Sequence, residues 1–305
     1  MRQTMLFFVN PNAGHTEIRA HLLEVLEIFT QGGFDVTVHP TARAGEITDV
    51  IAAQGGRYDM VAAAGGDGTL NEAVSGLMQL ENPPCLGYIP GGTVNDVAST
   101  LHLPRNCLGA AAVITGGREI RIDLGRFNQR WFAYVAGFGA FTDVAYSTDQ
   151  SGKRLLGRLA YLLRGVQALG EIHPIRVRAV SGGQTVEDDV ILGLVASTTS
   201  VGGFKAQLCP EVSLNDGLFE VLLVKDLKSL LDVNAVAAAI LRRDFSSPFF
   251  YQMKTDRITF EFDHAVPWTL DGEFGGNVCQ AEIQNHRQAL RIMAPAVENL
   301  PVGEA

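Results

Sequence analysis

The sequence lacks the cysteine patterns of a disulfide-rich domain or a zinc site. Its four cysteines lie far apart along 305 residues and form no Cys-x-x-Cys pair: Cys85, Cys107, Cys209 and Cys279. Disulfide frameworks and structural zinc sites both need cysteines at close, regular spacings. We therefore expect reduced, mostly buried thiols in a cytoplasmic protein.

The chain also lacks an excess of positive charge and a long hydrophobic run. Its 24 Lys and Arg residues against 33 Asp and Glu residues give a net charge of −9. A negative net charge argues against overall electrostatic attraction to nucleic acid or to an anionic membrane. Any contact with a membrane must therefore be local. The first apolar stretch, residues 5–9, meets Asn10-Pro11 and is too short for a signal peptide or a membrane span. We expect a β-strand there.

The chain is organised around residues 65–69, Gly-Gly-Asp-Gly-Thr. An apolar run at 60–64 precedes them, and apolar residues at helical spacing follow from Leu70, which predicts a strand, a glycine turn and a helix. Glycines leave room for a bulky group beside the backbone amides, and a helix N-terminus favours an anion. Asp67 would repel a phosphate unless a metal ion or a hydroxyl lies between them, which suggests a nucleotide with Mg²⁺. A tight turn with a solvated aspartate is the alternative.

A second glycine loop follows a strand predicted at 85–89. Its sequence at 90–96, Pro-Gly-Gly-Thr-Val-Asn-Asp, again delivers a hydroxyl and an aspartate before a helix. The turn at 10–14 also follows a strand, and Asn10 fits a phosphate contact or a helix cap equally well. Strands alternate with helices over residues 5–115, which predicts an α/β domain with a doubly wound parallel sheet. Ligands bind at the carboxyl edge of such sheets.

After residue 125 the pattern changes to short strands with hairpin signals between them. The predicted strands are 132–136, 175–180, 185–190, 191–197, 219–224, 257–262, 268–270, 278–283 and 289–293. With helices inserted at about 155–169 and 227–241, they predict a mainly antiparallel β-sandwich. We therefore predict a nucleotide-binding domain at 1–125, a sandwich domain at 126–295 that binds the lipid substrate, and a flexible tail at 296–305. The active site is expected in the cleft between the two domains.

Together, the two glycine loops resemble the catalytic domain of the diacylglycerol kinases. The whole chain looks like the soluble bacterial diacylglycerol and lipid kinases, which are related to sphingosine and ceramide kinases. The opening at 10–14 fits that family's Asn-Pro-x-x-Gly start, and the resemblance continues through Asn-Asp-Gly at 215–217 and Asp-Gly-Glu at 271–273. The sequence departs from the family pattern at two positions. Ala13 replaces the usual serine and so lacks its hydroxyl, and Val94 replaces the small residue that usually follows the loop threonine.

The resemblance implies a nucleotide and metal site residue by residue. Asp67 would take part in a catalytic Mg²⁺–water network with Asp96 and Asp123, and clustered carboxylates suit phosphoryl transfer, which depends on positioning and charge neutralisation. By its pattern alone, Asp123 also fits a strand that crosses between the halves. The implied nucleotide contacts are Asn10, Pro11, Asn12, Ala13, Gly14, Thr41, Gly66, Asp67, Gly68, Thr69, Leu70, Asn71, Glu72 and Thr93.

The same resemblance implies functional roles for two turns in the second half of the chain. The Asp216 carboxylate and the backbone carbonyls of Ser213 and Leu218 would hold a structural Mg²⁺, although residues 215–217 by themselves predict only a tight turn. Asp271 would be the general base that takes the proton of the acceptor hydroxyl, with Glu273 assisting it or contacting metal. By residue type alone, the latter turn is equally a hairpin corner.

These motifs predict an ATP- and Mg²⁺-dependent kinase that phosphorylates diacylglycerol or a related lipid alcohol. The alternatives are an NAD kinase, which shares the first loop but should lack the second, and a nucleotide- or lipid-binding regulator without catalysis. Residues 153–164 carry four cations and no acid, which fits a transient membrane contact or, more simply, a helix packed on the sandwich. We expect a cytoplasmic, peripherally membrane-associated protein; a homodimer through a sandwich edge is compatible with the sequence.

Overall fold

The chain divides into two compact units. The computed structural model describes residues 2–11, 17–93, 95–140, 173–197, 213–242, 244–297 and 300–302. One unit comprises Met1–Leu124 with Gln288–Ala305, and the other Gly125–Arg287. Within the described residues, no helix is long and apolar enough to cross a membrane. The helix predicted near 155–169 and the basic segment at 153–164 lie outside these residues.

The first unit alternates strands and helices around a parallel sheet. Its strands run in the order β2-β1-β3-β4, and Val9 at the end of β1 pairs with both Pro40 and Ala64. This confirms the predicted doubly wound domain and places the carboxyl ends of four strands at one edge. Its elements are β1 (Gln3–Val9), α1 (Glu17–Ala20), α2 (Leu22–Gln31), β2 (Phe34–Pro40), α3 (Glu46–Gln54), a 3₁₀ turn (Gly55–Arg57), β3 (Met60–Gly65), α4 (Asp67–Leu77), β4 (Cys85–Pro90), α5 (Asp96–Thr100), α6 (Cys107–Gly116) and most of β5 (Arg118–Phe127).

The sheet of the first unit is buried on both faces. Phe7 packs edge-on against Phe29 of α2, with ring centroids 5.2 Å apart, in a cluster that also includes α6. Leu6 and Phe8 are equally buried, and successive side chains of a strand point to opposite faces. Burial on both faces explains why these strands are continuous apolar runs in the sequence. Helix α2 packs on α6, and α3 packs on α4.

The second unit is antiparallel in every strand pairing that the structure describes within it. Its elements are β6 (Arg130–Phe132), β7 (Val135–Gly139), β8 (Ile175–Ser181), β9 (Gln184–Ala196), β10 (Phe219–Lys225), α7 (Leu230–Arg242), β11 (Phe250–Thr255), β12 (Arg257–Leu270) and most of β13 (Glu273–Ala294). An aromatic core holds it together, and the fully buried Trp268 lies at its centre, 4.7 Å from the ring of Phe138. The predicted helix at 227–241 is confirmed as α7.

The end of β13 belongs to the first unit. Ile292 pairs in parallel with Leu86 of β4, and Leu290 and Ile292 are buried. The guanidinium of Arg291 donates to the Pro83 carbonyl at 2.8 Å. The sequence analysis grouped these residues with the second domain, because a strand's own pattern does not say which sheet it completes.

Several segments that were predicted as separate strands are continuous. Strand β12 joins the segments 257–262 and 268–270, and its pairing with β13 shifts register between Glu261 and Val266. Asp263 and His264, between those two residues, are exposed. An irregular stretch of this kind lets a strand continue while its polar residues interrupt the apolar alternation. Strands β9 and β13 likewise each join two predicted segments.

One carboxyl group, that of Glu220 on β10, is buried among these strands. Its side chain is 2% exposed, and neither carboxyl oxygen has a hydrogen-bond partner among the described residues. The β10–β11 register places Lys254 directly opposite, with Nζ 3.6 Å from Oε1 of Glu220. Burial raises the pKa of Glu220 to about 7, an effect that Lys254 opposes and Asp216 reinforces.

A Glu220→Gln variant should change how stability depends on pH. Since the folded pKa lies above the ordinary value of 4.5, the stability that protonation contributes is complete below that value and is lost as the pH rises through 7. The variant cannot ionise, so its free energy of unfolding should rise relative to wild type by up to about 3 kcal/mol between about pH 5 and pH 8. Urea titrations of both proteins would measure this. A difference that stays constant with pH would contradict it.

Candidate active site

The two glycine loops are joined at the carboxyl ends of β3 and β4. The carbonyl of Gly65 accepts hydrogen bonds from the amide of Gly91 at 2.7 Å and from the hydroxyl of Tyr88 at 3.0 Å. Burial, together with the charge of Asp67, raises the pKa of Tyr88 well above its ordinary value, so this hydroxyl remains a donor. Tyr88 could not be identified from the sequence, because a tyrosine inside an apolar strand carries no signal of where its hydroxyl points.

The backbones of the two loops also touch. A Cβ atom added to Gly92 would lie 2.7 Å from Cα of Gly66, and one added to Gly66 would lie 3.3 Å from Cα of Gly92. Backbone atoms cannot move aside as a flexible side chain can. The glycines are therefore needed for the contact between the loops, in addition to the access for a ligand that the sequence suggested.

Asn95 of the second loop positions Asp67 of the first. Its amide donates to Oδ2 of Asp67 at 2.9 Å, and its side-chain Oδ1 accepts from the amide of Gly92 at 2.9 Å. Asn95 has a left-handed backbone with φ +52°, which asparagine adopts more readily than most residues. The structure thus brings Asp67 and the loop that carries Asp96 together. Their role in a metal network stays a prediction.

Helix α4 begins at Asp67, and Gly66 is its N-cap. The first amides of a helix have no partners within it and favour an anion. Thr69, in the first turn, is 6% exposed, and its Oγ1 accepts from the side-chain amide of Asn10 at 3.4 Å. The backbone amide of Asn10 donates to the Ala64 carbonyl at 3.1 Å. Asn10, directly after β1, is therefore tied to the first glycine loop.

Other predicted nucleotide contacts have structural partners of their own. The amide of Thr41 donates to the Val9 carbonyl at 3.0 Å, and the Thr41 side chain is buried. The carboxylate of Glu72 accepts from the amides of Gly45 at 2.9 Å and Ile47 at 3.3 Å, which satisfies the start of α3. Glu72 thus holds α3 against α4, whatever it contributes to a ligand.

The remaining predicted nucleotide contacts differ in exposure. Leu70 is buried in the core, whereas Pro11, Gly68 and Asn71 are partly exposed. Asn12, Ala13 and Gly14 lie outside the described residues. Because Leu70 is 1% exposed, its side chain serves the fold, and any contact it makes with a nucleotide would have to come from its backbone.

A cavity of about 250 Å³ opens beside the second glycine loop. Of the predicted nucleotide contacts, Thr93 lines it and residues 66–72 do not. Two charged residues border it: Glu17, which accepts from the amide of Cys107 at 3.3 Å, and Arg105, which is exposed. The guanidinium of Arg105 brings a positive charge to the border of the cavity, which would favour an anionic ligand. Neither residue stood out in the sequence, since both lie outside the glycine motifs.

Two further predicted acids are buried. Asp96 is fully buried at the start of α5. Asp123 on β5 is 2% exposed, and its Oδ1 accepts from the amide of Gln288 at 2.7 Å. That hydrogen bond ties β5 to the end of β13 within the first unit. Asp123 therefore has at least a structural role, and its catalytic role stays a prediction.

In the second unit, Asp271 is held by the backbone. Its side chain is 3% exposed; Oδ2 accepts from the amide of Ala133 at 2.6 Å, and Oδ1 accepts from those of Tyr134 at 3.0 Å and Val135 at 3.1 Å. Backbone amides stabilise a carboxylate in its ionised form, the form that a general base needs. Because the amides of Ala133 and Tyr134 turn to this carboxylate, the strand predicted at 132–136 is split into β6 and β7.

The hairpin that carries Asp271 is a two-residue turn between β12 and β13. Asp271 and Gly272 have φ values of +50° and +87°, the left-handed pair of a type I′ turn. Glu273, predicted to assist, is exposed at the start of β13 and pairs with Leu270. The predicted hairpin corner and the predicted base are therefore compatible, because the turn is what presents the carboxylate to the amides.

In the predicted structural metal site, the Asp216 carboxylate has partners within the protein. Oδ1 of Asp216 accepts from the amide of Leu218 at 3.0 Å, and Oδ2 lies 2.9 Å from Nζ of Lys254. The Ser213 hydroxyl donates to Oδ1 of Asn215 at 3.0 Å. The described part of the chain holds no group of three or more His, Cys, Asp or Glu residues that could bind a metal ion. The sequence analysis missed Lys254, whose position depends on strand register.

Both units match known protein families. Residues 4–127 match the diacylglycerol kinase catalytic domain, and residues 135–294 match the YegS C-terminal NAD kinase beta sandwich-like domain. The second match confirms the predicted sandwich.

The similarity extends along nearly the whole chain. It is 35% identical over 288 residues to a diacylglycerol kinase of Bacillus subtilis (strain 168), which covers 94% of each chain. It is 32% identical over 297 residues to a diacylglycerol kinase of Staphylococcus carnosus (strain TM300), which covers 97% of this chain and 96% of that one. A solved structure from Bacillus anthracis (strain Sterne) has a TM-score of 0.83 at 25% identity and covers 96% of this chain and 97% of its own. The chain therefore belongs to the diacylglycerol kinase family.

Proposed function

We propose that this protein transfers the γ-phosphate of ATP to the hydroxyl of diacylglycerol, or of a related lipid alcohol, with Mg²⁺. The observation that carries the proposal is the junction of the two glycine loops, in which the Gly65 carbonyl, Gly92 and Asn95 fix Asp67 at the start of α4. The names of the relatives support the lipid acceptor.

The donor phosphates would bind at the start of α4. The first amides of a helix have no partners within it and, with the positive end of the helix dipole, favour an anion. Asn10 and Thr93 add polar side chains beside the loops. The carboxylates of Asp67 and Asp96 are hard oxygen donors of the kind Mg²⁺ prefers. Bound there, Mg²⁺ would neutralise charge on the transferring phosphate. Asn95 would keep Asp67 oriented, because a backbone amide cannot rotate away.

The acceptor hydroxyl would lose its proton to Asp271. An alcohol must shed its proton as it attacks phosphorus, and a carboxylate within hydrogen-bond reach can take it. Three amide donors keep the Asp271 carboxylate oriented. Glu273 is proposed to assist. A lipid acceptor also requires contact with a membrane surface, and the basic segment at 153–164 is proposed to provide it.

The acceptor is testable by direct assay. Phosphate transfer from ATP should be observed with diacylglycerol in mixed micelles, while sphingosine, ceramide, phosphatidylglycerol and NAD, assayed alongside, should be poorer acceptors. The reaction should stop when Mg²⁺ is chelated and resume when it is restored. Turnover of NAD in preference to every lipid would instead favour an NAD kinase, and no turnover of any acceptor would favour a silent regulator.

Removing the proposed base should lower the rate of transfer and leave nucleotide binding intact. Asp271→Asn is expected to reduce kcat about 10²- to 10⁴-fold, the range typical of a lost general base. The KM for ATP should change little, because the predicted nucleotide contacts lie in the other unit. Asp263→Asn, an exposed position on the same strand, is the matched control and should be fully active. Full activity of Asp271→Asn would show that another group is the base.

Separating the loops should damage the donor site. Gly92→Ala would place a methyl group 2.7 Å from Cα of Gly66, which is too close for two carbon atoms. The two loops would have to move apart to make room for it. We expect the Kd for ATP to rise at least about tenfold, since a 1.4 kcal/mol loss is tenfold in affinity. Gly116→Ala is the control, because an added Cβ there meets nothing within 4 Å. Calorimetric titration of each variant with ATP would measure this Kd. If Gly92→Ala bound ATP as tightly as Gly116→Ala, the proposed donor site would be contradicted.

A further inference from the structure

The turn before β10 is held by a lysine that comes from the neighbouring strand. In this turn, Oδ1 of Asp216 accepts a hydrogen bond from the amide of Leu218 at 3.0 Å, and Oδ2 of Asp216 lies 2.9 Å from Nζ of Lys254. Gly217 has φ +84°, so the chain turns sharply between these two contacts. One carboxylate therefore links the turn to itself and to β11.

The position of Lys254 follows from strand pairing. It lies directly opposite Glu220 in the β10–β11 ladder, and its Nζ is 3.6 Å from Oε1 of Glu220. Glu220 is 2% exposed, and its oxygens have no hydrogen-bond partner among the described residues. The ammonium group thus contacts both the partly exposed carboxylate of Asp216 and the buried carboxylate of Glu220. Among the described residues, Lys254 is within 4 Å of both carboxylates.

A second basic residue lies at the same turn. Nε of Arg287 donates to the carbonyl of Asn215 at 3.2 Å. The stem of Arg287 packs on Gly217, where an added Cβ would meet its Cδ at 3.2 Å. The turn therefore has a cation bound to its carboxylate and another bound to its backbone.

This arrangement does not fit the divalent metal that the family resemblance implied for Ser213, Asp216 and Leu218. A magnesium ion binds through one or two carboxylates with the remaining positions filled by water or carbonyl oxygens. To reach Oδ2 of Asp216, it would have to lie within a few ångströms of the Lys254 ammonium, and like charges at that distance repel strongly.

We propose that the Lys254 ammonium is the resident cation of this turn and holds it without a divalent metal. The lysine supplies the positive charge that a metal would otherwise bring to Asp216, and its Nζ also lies 3.6 Å from Oε1 of Glu220. The proposal concerns the second unit only and is independent of the reaction proposed above.

Thermal unfolding of the full chain, without nucleotide, tests the role of the charge. Lys254→Met should lower the Tm by several degrees, since about 1 kcal/mol corresponds to roughly 2–4 °C for a domain of this size. Lys254→Arg should restore most of that loss, because it keeps the cation. Lys228→Met is the matched control: Lys228 also pairs with an aspartate, Asp226, but its side chain is 77% exposed, so its removal should change the Tm little. A Lys254→Met protein as stable as wild type would overturn the proposal.

Metal binding supplies an independent readout that does not depend on how the Lys254 variants fold. Mn²⁺, a paramagnetic substitute for Mg²⁺, would be titrated into wild type and Asp216→Asn and counted by electron paramagnetic resonance. The two proteins should bind the same number of ions, because the wild-type turn takes none. Loss of one bound ion in Asp216→Asn would show that the metal occupies the turn after all and would overturn the proposal.

Discussion

The Gly65 carbonyl is the contact on which the candidate donor site depends. It accepts from the Gly91 amide and the Tyr88 hydroxyl together, which sets the spacing between the ends of β3 and β4. Only at that spacing does Gly92 meet Gly66 and the Asn95 amide reach Asp67. A buried carbonyl with two donors is costly to disrupt, because each lost partner leaves a polar group unsatisfied. The two loops therefore behave as one structure.

Backbone amides position several of the acidic groups. Asp67 is bound by the amide of Asn95, Asp123 by that of Gln288, and Asp271 by three successive amides. An amide within a fixed loop has no rotamers to lose, so it holds a carboxylate at lower entropic cost than a long side chain would. Phosphoryl transfer depends on the positioning of charge more than on covalent chemistry by the protein. A family that catalyses this reaction therefore gains from acids held in this way.

Asp216 forms an ion pair with a side-chain cation, the ammonium group of Lys254. It shares Lys254 with the buried Glu220, and the three charges are brought together by the β10–β11 register. The cluster shows how strand pairing can supply a counter-charge that no local motif announces. Here the counter-charge reaches the carboxylate of a turn whose sequence resembles a metal-binding segment.

The sequence by itself determined the two-domain plan, the parallel sheet, the antiparallel sandwich and the two glycine loops. Those features follow from the period of apolar residues and from glycine placement, which are local properties. Only the tertiary structure decided which groups meet. Tyr88 is 23 residues from Gly65, Ala133 is 138 residues from Asp271, and Lys254 is 38 positions beyond Asp216. Residue periodicity reports which face of an element is buried, but hydrogen bonds and ion pairs across such separations depend on register and packing. For the same reason, the pattern of β13 predicted a strand, but only its pairing with β4 decided which unit its end completes.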